Sequence, residues 1–81
     1  MNAMTAVTAE LSLKPLGKKT LNYLRTRGSL TPLVFFSTYG SMRLSAQIHD
    51  LREAGFDIRT TMKEDEEGSK YASYRLHEQK N

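Results

Sequence analysis

Eighty-one residues, 38% hydrophobic and 26% charged, make one small globular domain and leave no room for a second. The chain has no cysteine, which excludes disulfides and thiolate metal sites, and no run near the ~18 apolar residues of a membrane helix. Its net charge is +3, but residues 64–67 hold four carboxylates, so the chain outside that patch carries +7, a balance that favours a polyanionic partner.

Residues 1–14 lack periodicity and are expected to form a flexible tail, with Leu11 and Leu13 as its alternating apolar positions. The domain is placed at 15–78, and residues 79–81 are a short C-terminal tail. Pro15 stands where a first-turn proline is tolerated, and Leu16, Thr20, Tyr23 and Leu24 recur at helical spacing up to Gly28. Ser29 and Leu30 form an extended connector. Thr31 followed by Pro32 is a helix start, predicting a short second helix over 32–39 that stops at Gly40. Ser41 is the expected cap of a third helix over 42–54, ended by Gly55, on which Leu44, Ile48 and Leu51 form an apolar stripe.

After Gly55 the period changes to two. Phe56, Ile58, Thr60 and Met62 alternate with polar residues, as do Ala72, Tyr74 and Leu76 with Tyr71, Ser73 and Arg75. Two such runs joined by an acidic, glycine-containing turn predict a β-hairpin. The expected fold is α+β: a winged helix-turn-helix, three helices followed by a two-stranded β-hairpin wing. Phe35, Phe36, Tyr23 and Tyr74 are assigned to its core.

The second helix, the turn Tyr39-Gly40-Ser41 and the third helix meet the requirements of a helix-turn-helix. The stretch 29–74 also resembles a helix-turn-helix domain family frequent in phage and prophage proteins. The resemblance is carried by Thr31, Leu33, Tyr39-Gly40, Arg43-Leu44-Ser45-Ala46-Gln47-Ile48, Leu51-Arg52-Glu53-Ala54-Gly55-Phe56, Ile58 and Tyr74-Arg75-Leu76. It implies a winged helix that binds duplex DNA, as a small transcriptional regulator or recombination accessory factor. Two features depart from that pattern. Phe35 stands where a small residue is usual, and the hairpin tip is acidic where a phosphate-gripping wing would be basic. The same resemblance implies a bacterial host's cytoplasm and nucleoid as the location, and the first residues lack the basic-then-apolar order of a secretory signal.

On the third helix Arg43 is the first candidate base reader, through a bidentate contact to guanine, with a phosphate contact as the plainer alternative. Gln47, Ser41, Met42 and Ser45 complete the candidate base-reading set, Ser41 doubling as a cap. Lys18, Lys19, Arg59, Lys63 and Lys70 are candidate phosphate contacts, or ordinary solubilising charges. Asp50 and Glu53 oppose phosphate approach, so docking is expected through the N-terminal half of the helix. His49 and His77 stand alone, without the spacing of a metal or acid–base site. No enzymatic activity, metal or cofactor is expected.

Leu33, Val34, Phe35, Phe36 and Tyr39 give the second helix more apolar surface than one short helix needs. Val34 and Phe35 are therefore the candidate oligomer interface, of a homodimer on DNA. The rival reading is a protein-interaction module that binds a protein partner through this helix and the acidic tip. No aromatic stacking sheet supports RNA binding.

Overall fold

A computed structural model describes residues 13–78. Three helices, α1 (Pro15–Arg27), α2 (Pro32–Tyr39) and α3 (Leu44–Glu53), precede two strands, β1 (Ile58–Glu64) and β2 (Lys70–Leu76). Most of the expected N-terminal tail and all of residues 79–81 lie outside the described residues. Leu13, assigned to that tail, is half-buried against the core, so the packed unit begins before Pro15.

Local chemistry sets the helix ends. Pro15 opens α1 and Gly28, at φ 90°, closes it by donating its N–H to the Leu24 carbonyl. Thr31 starts α2 by accepting the Val34 N–H at 3.3 Å, with Pro32 in the first turn. Gly40 then takes the left-handed conformation, φ 69° and ψ 19°, which turns the chain sharply between α2 and α3 at no steric cost. The third helix is shorter than its sequence implies. It starts at Leu44, and Ser41 does not cap it: the Ser41 hydroxyl accepts the Arg43 N–H at 3.1 Å and so braces the turn itself.

Leu21, Leu24, Leu30, Phe35, Leu44, Ile48, Leu51 and Ile58 form one buried cluster between the helices and the base of the hairpin. Each such side chain contributes roughly 1.5–3 kcal/mol by leaving water. Phe35 is 0% exposed, its ring 5.1 Å from that of Tyr39, which packs edge-on to Tyr23. Phe36, expected in the core, is 47% exposed instead, because a helix that buries Phe35 turns the next residue outward.

The strands pair antiparallel from Ile58 opposite Leu76 to Glu64 opposite Lys70. The connector at Leu30 does more than span a gap. It bridges Tyr74 through two backbone hydrogen bonds of 2.9 and 2.8 Å, adding a one-residue third strand beside β2. Buried at Leu30, that backbone needs partners, and the edge of β2 supplies them. Beyond Ile58 every residue of β1 is exposed, so the hairpin stands out from the body.

Candidate nucleic-acid interface

The stripe of Leu44, Ile48 and Leu51 faces inward, so 3.6 residues per turn leave Ala46, His49, Asp50 and Glu53 on the outward side of α3. Ser45 and Arg52 lie on the flank nearer the hairpin. Arg52 is committed there, donating to the Ile58 carbonyl at 3.0 and 2.7 Å and to the Thr60 hydroxyl at 2.9 Å. It pairs with backbone and hydroxyl rather than with a carboxylate, and so fixes the angle between α3 and the hairpin. Gln47 lies on the opposite flank, half-buried, its Oε1 3.7 Å from where a Cβ on Gly17 of α1 would stand. That position makes it a packing residue in part, with less reach toward a groove than its spacing implied.

Arg43 occupies the N-cap position, at φ −103° and ψ 33°, rather than the first turn of the helix. It remains exposed, as do Met42 and Ser45. Arg43 offers no side-chain cap to α3, so the first-turn N–H groups of Leu44, Ser45 and Ala46 are left to water or to an anion. Two contacts bring α1 alongside this turn: the Tyr39 hydroxyl donates to the Lys19 carbonyl at 3.3 Å, and Gly17 faces Gln47. These contacts seat the Lys19 backbone beside Tyr39, and the Lys18 and Lys19 side chains are exposed. Burial, and then the neighbouring Tyr23, raise the Tyr39 phenol above its ordinary pKa.

The C-terminal half of α3 is different in charge. Asp50 lies two turns from Arg43 on the same side, roughly 10 Å along the axis. Glu53 pairs with His49 at 3.7 Å. The exposed face is thus basic and polar at its start and acidic at its end.

The remaining phosphate candidates do not share a surface. Side chains alternate across a strand, so Arg59 and Lys63 lie on one face of the hairpin and Lys70 on the other. Arg59 donates to Asp57 at 3.2 Å, and Lys70 stands opposite Glu64. The register adds Arg75, which is not among the candidate phosphate contacts, directly across from Arg59. Of the two interface candidates on α2, Val34 is 37% exposed, while Phe35 is wholly buried and offers no surface to a second subunit. Leu33 and Phe36 are the exposed apolar neighbours of Val34.

Three helices, a glycine turn before an outward-held third helix, and a projecting hairpin define a winged helix. A family model described as a winged helix-turn-helix domain matches residues 15–79, most of the chain, and the chain belongs to that family. It is a family of DNA-binding domains. No curated protein and no solved structure matches the chain significantly. Among the described residues no helix is long and apolar enough to cross a membrane.

Proposed function

We propose that this chain binds duplex DNA through the turn before α3 and the first half of that helix, as a phage- or mobile-element-type transcriptional regulator or recombination accessory factor in a bacterial cytoplasm. Arg43 and Ser45 are the base-reading candidates that stand clear of the core, with Met42 and Ser41 beside them and Gln47 at the margin. Lys18 and Lys19 hold the phosphates next to that turn. The observation that carries the reading is family membership over 15–79, joined to an α3 whose first half holds no carboxylate and whose entry exposes Met42, Arg43 and Ser45.

A titration of mixed-sequence duplex across a salt series tests it. Binding is expected to weaken steeply with salt as counterions are released by each neutralised phosphate. On a selected site Arg43→Ala is expected to cost on the order of 1–3 kcal/mol and to relax sequence preference. Absence of duplex binding below about 100 μM at low salt rejects the reading, since non-specific affinities ordinarily exceed that limit.

A second reading, a protein-interaction module, draws on Asp50 and Glu53, which share the outward side of α3 with Arg43, and on exposed Leu33 and Phe36. It predicts the failed titration just described, with a partner held instead through α2.

A further inference from the structure

Methionine ordinarily serves as a pliable filler of hydrophobic cores. Here the buried cluster is built of leucine, isoleucine and phenylalanine alone. The methionines among the described residues are Met42 and Met62, and both lie in water, 82% and 62% exposed. The chain has no cysteine, so thioethers are its only sulfur and the only side chains it offers to a mild two-electron oxidant.

Met42 occupies a telling position. With Arg43 at the N-cap of α3, Met42 is the residue just before the cap, and Gln47 stands at the end of the first turn. Side chains at these two positions lie over the helix start and clasp each other when both are apolar. Gln47 carries an amide there, so that clasp is missing, in keeping with the exposure of Met42. Beneath lie the first-turn N–H groups of Leu44, Ser45 and Ala46, which the Arg43 side chain does not cap. An exposed thioether therefore adjoins a set of unclaimed donors. Met62 differs: it sits in mid-strand opposite Ala72, with no helix start beside it in the chain.

We propose that Met42 is an oxidative modification site, and that its sulfoxide weakens DNA binding by taking the donors at the entry of α3. The proposal rests on the DNA reading above, but concerns a chemical state of the chain which that reading does not contain. The oxidant is a peroxide. One oxygen atom of hydrogen peroxide bonds to the Met42 sulfur, the O–O bond breaks, and the other oxygen leaves with both protons as water. Sulfur loses two electrons and the peroxide gains them, so no further reactant enters. The product exchanges an apolar side chain for a polar one whose new oxygen accepts hydrogen bonds. Held over an uncapped first turn, that oxygen accepts from its N–H groups as a capping side chain does. Those are the donors that a helix start otherwise offers to phosphate. Because no methionine is in the buried cluster, oxidation changes this surface without opening the core.

The test uses the full chain, untreated and after brief exposure to hydrogen peroxide. Tryptic cleavage after Arg27, Arg43, Arg59 and Lys63 puts Met42 and Met62 on separate peptides, whose gain of one oxygen atom is read by mass. Duplex affinity and backbone amide resonances are measured for wild type, Met42→Leu and Met62→Leu. Each protein is compared with its own untreated form, so a variant's basal affinity does not enter. Oxidation is expected to lower wild-type affinity on the order of tenfold, the worth of one charge-assisted hydrogen bond. The amides of Leu44, Ser45 and Ala46 should shift without DNA present. Met62→Leu should respond as wild type does, Met42→Leu should not respond, and methionine sulfoxide reductase should restore the affinity. Unchanged affinity with Met42 oxidised overturns the proposal and leaves the DNA reading standing. A loss that persists in Met42→Leu, or that leaves those three amides unmoved, does the same. Unfolding of the oxidised chain at the temperature of the titration marks a damaged fold and also overturns it. Untreated wild type that binds no duplex defeats the DNA reading and this proposal together.

Discussion

At the scale of single residues, Tyr39 joins the packing of the domain to its candidate interface. Its ring contacts Phe35 in the core while its hydroxyl donates to the Lys19 carbonyl on α1. Burial and the neighbouring Tyr23 raise its pKa in the folded state, so the folded chain holds this proton more tightly than the unfolded chain does. Stability from this source is complete below the unfolded tyrosine value of 10.0 and is lost as pH rises through the folded value. Wild type is therefore expected to lose stability above about pH 10 more steeply than Tyr39→Phe. Denaturant unfolding of the two proteins at pH 8 and pH 10.5 measures the difference; equal losses would remove Tyr39 as the cause.

The elements differ in how far the sequence discloses them, and α2 is the instructive case. Thr31, Pro32 and Gly40 mark its ends because capping, a fixed φ and a positive φ are properties of those residues themselves. Which of its faces is buried was not legible. Five apolar residues in an eight-residue helix occupy nearly every direction, so periodicity cannot separate buried Phe35 from exposed Leu33 and Phe36. The longer α3 has no such ambiguity, and its stripe of Leu44, Ile48 and Leu51 is buried as the spacing required. Its start was misplaced by two residues because Ser41 has cap chemistry but spends it on the turn. A second copy of the chain is the expected occupant of the exposed side of α2. Leu33 at 75% and Phe36 at 47% exposure sit within residues 28–42, a stretch without one charged side chain. A two-fold contact sets a patch against itself, so a neutral patch avoids the repulsion that two copies of a +3 chain meet elsewhere. Sedimentation at about 100 μM, where an interface of micromolar Kd is well populated, is expected to show a dimer. Leu33→Glu with Phe36→Glu should give monomers. A monomeric wild type, free and on DNA, rejects the α2 dimer.

Over the whole molecule, the order of elements was readable because the period of apolar residues changes from helical to alternating at Gly55. The distribution of charge in space was not. Arg59, Lys63 and Lys70 look like one basic wing in the sequence, and only the strand register divides them between two faces and adds Arg75. The acidic turn acquires a structure of its own in the same way. Asp65 accepts the Glu67 and Ser69 N–H groups, both at 2.9 Å, so one of its four carboxylates builds the turn while Glu64, Glu66 and Glu67 are exposed.

That division makes the tip testable without unfolding it. Glu64 directly follows Lys63, so a DNA backbone held by Lys63 would pass within about a Debye length, ~8 Å at physiological salt, of the tip. At that distance each carboxylate repels a phosphate by on the order of 0.5 kcal/mol in water before screening. The triple variant Glu64→Gln, Glu66→Gln, Glu67→Gln, with Asp65 kept to hold the turn, is therefore expected to bind duplex several-fold more tightly at low salt. The gain should shrink as salt shortens the range of the repulsion. Equal affinity at all salt concentrations means that the DNA runs clear of the tip and the carboxylates only keep an exposed loop solvated. Weaker binding by a folded variant reverses the sign that repulsion demands, and turns the tip from a barrier to phosphate into a contact with another protein subunit on the DNA.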